Sequence, residues 1–207
     1  PARDRNIRRA PAAPTQPDND TLAQARRWLA QAERPFAVIG LDAVAEGAGP
    51  ALRAFLEAHQ IPFVTSYKAK GILPEDHPLC LGGAGLSPLA DSHLLPLAAQ
   101  SDLILSLGYD PIEMRPGWRN AWDPTHQRVI EIAAEPNTHY MHQASLNIVA
   151  PLTPTLEALT EKAETAPTRW PGGELSTAQQ ALHAAFDPQD DSWGPAGVIA
   201  ECRAPLP

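Results

Sequence analysis

Apolar residues along the chain fall into short continuous runs that alternate with longer stretches of helical period. Leu22, Ala25, Leu29 and Ala32 recur at helical steps behind Thr21-x-x-Gln24, which has the spacing of a capping box. Phe36-Ala-Val-Ile-Gly40 is apolar without alternation, as expected of a strand buried on both faces of a parallel sheet and stopped by glycine. Helical spacing returns at Leu52, Phe55, Leu56 and His59, and Phe63-Val-Thr65 after Pro62 predicts the second strand of a β-α-β unit. Leu94, Leu97 and Ala98 predict a helix, and Leu103-Ile-Leu-Ser-Leu-Gly108 is the least ambiguous strand. Val129–Ile132 and Leu146–Val149 read as two further strands, and Leu156, Leu159 and Ala163 as the helix behind them. Between the second strand and the helix at Leu94, the Pro- and Gly-rich stretch from Ser66 to Pro88 predicts an irregular connection, with Gly82-Gly-Ala-Gly85 as a turn. The loop from Tyr109 to Thr125 holds Trp118 and Trp122, read as a loop-packing pair. The expected fold class is α/β: a three-layer, Rossmann-like domain of about six parallel strands with helices on both faces. Phe36–Gly40 is expected at its centre with Leu103–Gly108 beside it.

The same pattern divides the chain. Residues 1–19 have almost no apolar period and predict an interdomain linker, and residues 20–165 form the compact α/β unit. Residues 166–194 read as a linker with one helix, marked by Ala178, Ala181, Leu182 and Ala185, and residues 195–207 as the opening of a following domain. A chain that begins on Pro1 and stops shortly after a new helical pattern is expected to be part of something longer.

Composition narrows the function classes. At 207 residues with a net charge of −8, the chain has the size of one domain plus tails and lacks the cationic face that nucleic acid or an anionic membrane requires. No apolar stretch is long enough to span a bilayer, and Arg3, Arg5, Arg8 and Arg9 precede a Pro-rich segment instead of a signal-peptide core. Cys80 and Cys202 are the two cysteines, with no C-x-x-C, so a disulfide scaffold or zinc site is not expected and a reducing, cytoplasmic compartment is.

Candidate chemistry is sparse. Gly40-Leu-Asp-Ala-Val-Ala-Glu-Gly47 lacks the G-x-G-x-x-G of a dinucleotide site, and no nucleophile or P-loop motif occurs. Lys68 and Lys70, two of three lysines against thirteen arginines, leave the carboxyl end of the second strand, where ligands of open α/β sheets bind. With Gly40, Gly82, Gly83, Gly85, Gly108 and Tyr109 they make up the candidate nucleotide pocket, in which glycines admit a ligand to the backbone and lysines neutralise a diphosphate. Glu75-Asp76-His77-Pro78 sets carboxylates beside an imidazole between two prolines and reads as a capped turn. His139-x-x-His142 has a spacing for two metal ligands but no third at a matching offset, and no metal site is expected.

Two longer segments add a resemblance. Val64-Thr-Ser-Tyr-Lys-Ala-Lys-Gly-Ile-Leu-Pro-Glu-Asp-His-Pro-Leu-Cys-Leu-Gly-Gly83, followed by Ser101-Asp-Leu-Ile-Leu-Ser-Leu-Gly-Tyr-Asp-Pro-Ile-Glu113, resembles the central domain of thiamine-diphosphate-dependent enzymes of the acetolactate synthase group. The tail from Gly194 to Pro207 looks like the start of that family's diphosphate-binding domain, and the Arg-rich head like the exit from its pyrimidine-binding domain. The resemblance implies a three-domain parent, homodimeric or homotetrameric, that binds thiamine diphosphate and Mg²⁺ through the two other domains. The parent would act on a 2-keto acid as carboligase or decarboxylase, and this segment alone would be inactive, a scaffold and interface. In such a family the middle domain binds FAD or an adenine nucleotide in some members and nothing in others. Here Ile132-Ala133-Ala134-Glu135-Pro136 stands where nucleotide-binding members carry Ile-Asp-x-Asp-Pro, and Gly108 is followed by Tyr109-Asp110 where flavin-binding members carry Arg. Both departures imply a degenerate pocket with neither FAD nor ADP. The alternative is a free-standing adenine-nucleotide or flavin-binding module of the same α/β layout.

Overall fold

The computed structural model describes residues 19–137, 141–161, 163, 169–186 and 194–203. Six parallel strands form one sheet in the order β3-β2-β1-β4-β5-β6. They are β1 (Pro35–Ile39), β2 (Phe63–Ser66), β3 (Cys80–Ala84), β4 (Leu103–Leu107), β5 (Arg128–Ala133) and β6 (Leu146–Val149). The helices are α1 (Asn19–Gln31), α2 (Leu41–Ala45), α3 (Gly49–His59), α4 (Pro88–Gln100), α5 (Leu152–Thr160), α6 (Glu174–Phe186) and α7 (Pro195–Arg203).

The central pair is β1 and β4, aligned from Pro35 opposite Leu103 to Ile39 opposite Leu107 and buried at every position. Alternate side chains of these strands enter different cores, which is why neither sequence alternates between apolar and polar. Ala37, Ile39, Leu103, Leu105 and Leu107 join Leu29 of α1, Leu52 and Phe55 of α3 and Leu156 of α5 on one face. Phe36, Val38 and Ile104 join Leu94 and Leu97 of α4, Ala178 of α6 and the indoles of Trp118, Trp122 and Trp170 on the other. The two loop tryptophans, read from the sequence as a loop-packing pair, pack into this core.

Two sequence expectations need correction. Gly82–Gly85 is not simply a turn, because Cys80–Ala84 is an edge strand paired with β2 through a register shift between Phe63 and Thr65. Gly82 stands at φ +91° in this irregularity, and its amide reaches Cys80 Sγ at 3.3 Å. Asn19 and Asp20 are already helical, which puts Thr21 inside the first helix and not at its cap.

Residues 169–186 lie against the sheet unit. Arg169 donates to the carbonyls of Leu29 and Ala32 at the end of α1 and to that of His59 at the end of α3, serving acceptors that the helices leave open. Burial lowers its pKa, with Asp102 acting the opposite way. The linker expected over residues 1–19 lies, Asn19 apart, outside the described residues.

Candidate functional site at the strand ends

The strand order reverses between β1 and β4, and ligands of open α/β sheets bind in the crevice such a reversal opens at the carboxyl ends of the strands. Glu113 enters this crevice from a 3-10 turn, Pro111–Glu113, just beyond β4. Pro111 starts the turn, and the Asp110 carboxylate caps it by accepting from the Ile112 amide at 2.9 Å. The Glu113 side chain, 4% exposed, accepts from three elements at once. The Leu41 amide donates to its Oε1 and Oε2 at 3.1 and 3.0 Å, Ser66 Oγ to Oε2 at 2.5 Å, and the Asp110 amide to Oε1 at 3.0 Å. One carboxylate thus ties together the ends of β1, β2 and β4.

The glycines of the expected pocket admit the protein's own atoms. A Cβ on Gly40 would stand 2.6 Å from Glu113 Oε1 and overlap the backbone of Gly108 and Tyr109. Gly108, at φ +56°, approaches Ala43 so closely that a Cβ would fall 2.7 Å from its amide nitrogen, and a Cβ on Gly85 would fall 2.6 Å from the side-chain Cβ of Met114. Tyr109 turns away from the crevice into the α4/α6 core, its ring 6.4 Å from that of Trp122 and 6.2 Å from that of His142. Burial, followed by the charges of Glu113 and Asp110, pushes its phenol far above the usual tyrosine range.

The lysines stand elsewhere. Lys68 Nζ lies 5.8 Å from the Tyr67 ring centre, and Lys70 pairs with Glu75 at the surface. The Lys70 stem passes 4.0 Å from where a Gly83 Cβ would be, beside a groove of about 1330 Å³ between β3, the 67–78 loop and α6 that also meets Gly82. The eight candidate residues therefore separate. Gly40, Gly108 and the Tyr109 backbone meet at the crevice while the Tyr109 ring enters the α4/α6 core, Lys70, Gly82 and Gly83 line the edge groove, Gly85 backs Met114, and Lys68 faces an aromatic ring.

Acidic groups surround the crevice. Asp42 in the first turn of α2 has its pKa raised by burial first and then by the charges of Asp110 and Glu135. Ala133, where a ribose acceptor is absent, ends β5, and its carbonyl accepts from the Ala150 amide at 3.0 Å. The Glu75–Pro78 segment is a turn, with the His77 amide donating to the Pro74 carbonyl at 3.2 Å. His77 Nδ1 accepts from the Leu79 amide at 3.2 Å, which assigns the proton to Nε2 for donation to Glu57 Oε1 at 3.0 Å. His139 lies outside the described residues, whereas the His142 ring stacks on Trp122 with centres 4.3 Å apart. No group of three or more His, Cys, Asp or Glu able to hold a metal occurs among the described residues. No helix among them is long and apolar enough to cross a membrane.

Glu113 was legible only in part. Asp110-x-x-Glu113 directly behind a strand has the spacing of a capping box, and that box is present. The bonds to Leu41 and Ser66 cross 72 and 47 positions of sequence, which no local pattern encodes.

A doubly wound parallel domain with a self-filled switch point describes the class of fold and site. Residues 22–159 match the family model described as the central domain of thiamine pyrophosphate enzymes, and the chain belongs to that family. Among curated relatives, it is 29% identical over 169 residues to an acetolactate synthase large subunit of Mycobacterium tuberculosis, with 82% of this chain and 29% of the relative covered. It is 30% identical over 147 residues to an acetolactate synthase of Bacillus subtilis (70% and 25%), and 39% identical over 77 residues to an oxalyl-CoA decarboxylase of Escherichia coli (37% and 14%). The chain thus spans less than a third of the length of these relatives. A solved structure described as a thiamin diphosphate-dependent enzyme from Mycobacterium smegmatis superposes with a TM-score of 0.63 at 24% identity, covering 79% of this chain and 31% of that one, and shares the fold.

Proposed function

We propose that this chain is the non-catalytic scaffold and interface domain of a thiamine-diphosphate-dependent enzyme acting on a 2-keto acid, an acetolactate-synthase-like carboligase or decarboxylase. The observation that carries the reading is the central-domain match over residues 22–159 in a chain whose switch-point crevice is filled by Glu113. Thiamine diphosphate and Mg²⁺ are assigned to the other two domains of the parent, since this sequence has no Gly-Asp-Gly metal-diphosphate motif. The parent is a cytoplasmic homodimer or homotetramer. Residues 20–165 form the domain, 1–19 the linker before it, 166–194 the connection whose residues 169–186 pack against the sheet, and 195–207 the entry to the next domain.

The crevice residues do not fit a flavin or adenine diphosphate. A diphosphate needs donors free to meet it, whereas Leu41, Asp110 and Ser66 already donate to Glu113, and the surrounding Asp42, Asp110 and Glu135 repel it. The free-standing nucleotide module therefore has no support at this site.

Titration calorimetry with thiamine diphosphate and Mg²⁺ tests the reading. The 207-residue chain is expected to give no saturable heat, and a chain extended in both directions in the native coding sequence is expected to bind. Saturable micromolar binding by the 207-residue chain would overturn the assignment.

A further inference from the structure

We infer that the Glu113 carboxylate is an internal anion standing where a ligand's phosphate would sit at the switch point, so that this side chain, and not only the missing ribose acceptor, closes the domain to nucleotides. The inference rests on the closed-crevice reading above and names the group responsible for it. Three donors of independent origin converge on one buried group: the Leu41 amide beyond β1, the Ser66 hydroxyl at the end of β2 and the Asp110 amide beyond β4. Such a set is the kind a protein offers to a tetrahedral or planar oxyanion, and here a side chain arrives from within. The packing agrees, because Gly40 leaves room for Glu113 Oε1 where any Cβ would collide with it. With the carboxylate shortened to a methyl group, the donors would face a space of carboxylate size in a buried setting, where unmet donors are costly. The ligand class of the uncovered site is a small oxyanion, either a carboxylate such as formate or inorganic phosphate.

The test follows the melting temperature of the 207-residue chain and its Glu113→Ala and Glu113→Gln variants in formate, phosphate or chloride at matched ionic strength. Glu113→Ala is expected to melt lower than wild type and to recover in formate or phosphate, saturating with a midpoint on the order of 1 mM. Wild type and Glu113→Gln should show no anion-specific gain. A folded Glu113→Ala protein indifferent to both anions, or a wild type that gains equally, overturns the inference. Should Glu113→Ala not fold in any of these salts, Glu113→Gln decides. Its amide keeps one acceptor oxygen for three donors, so a melting temperature below wild type is expected, and equality with wild type overturns the inference. Stabilisation of wild type by ADP would instead overturn the closed-crevice reading itself, which keeps the two failures apart.

Discussion

Trp170 Nε1 donates to the Pro35 carbonyl at 2.9 Å and so fastens the indole to the first residue of the central strand β1. The ring is 3% exposed and packs in the α4/α6 core, while its backbone amide donates to the Glu33 carbonyl at 2.9 Å. A residue beyond the compact unit read from the sequence therefore completes the packing of one face of the sheet.

Trp170→Ala removes both the buried ring and the bond to Pro35, and aromatic-to-alanine changes in cores cost about 3–5 kcal/mol. Urea unfolding should show a loss of that size. A loss under about 1 kcal/mol would mean that residues 169–186 are only loosely attached to the sheet.

Gly40→Ala is expected to destabilise because the new methyl meets the backbone of Gly108 and Tyr109 and the Glu113 carboxylate, none of which is the far end of a free surface side chain. Overpacking of this kind costs about 1–3 kcal/mol or more. Gly117→Ala, where nothing lies within 4 Å of the new Cβ and φ is not positive, is the control and should be near neutral. Equal stability of the two variants in chemical denaturation would contradict the close approach at Gly40.

The Glu57 pKa is held below its usual value by its hydrogen bond to His77 first and by Arg53 second. A carboxylate depressed in the folded state stabilises above its unfolded pKa, and that contribution is lost as pH falls through the folded pKa. Glu57→Gln should therefore lower the melting temperature slightly at pH 6–7 and match wild type once the Glu57 carboxyl is protonated in the folded protein, at the acid end of the titration. The difference should shrink in high salt, because the group is exposed. A deficit that persists undiminished as the pH falls would assign the effect to packing.

Legibility in the sequence followed burial. β1 and β4 were readable as central because both of their faces enter cores, so continuous apolar runs were unavoidable. β3 was not, because Cys80-Leu-Gly-Gly-Ala84 has two glycines of low strand propensity and becomes a strand through pairing with Phe63, Thr65 and Ser66 of β2. The candidate pocket residues stand apart for a related reason. Glycines at strand ends announce a close approach, but the sequence does not say whether a ligand or another part of the chain approaches, and at Gly40, Gly85 and Gly108 it is the chain. Lys68 and Lys70 share a short motif with opposite surroundings, a Tyr67 ring and the Glu75 carboxylate, neither visible from spacing.

Adenine nucleotides and FAD should bind weakly or not at all. Ala133 cannot accept from a ribose hydroxyl, and a buried hydroxyl left without its partner costs about 1–3 kcal/mol, or roughly ten- to a hundredfold in affinity. Asp42 adds to this, since burial and then the charges of Asp110 and Glu135 already disfavour its ionised form before any phosphate arrives. Lys70, beside the glycines of β3, is engaged by Glu75 and faces the edge groove, away from the switch point. Purified protein is therefore expected to be colourless, and millimolar ADP should leave its melting temperature unchanged. A yellow preparation with a flavin spectrum would reject the degenerate pocket, as would an ADP-dependent rise in melting temperature; a rise that Lys70→Ala abolishes would show that this lysine takes part in the binding.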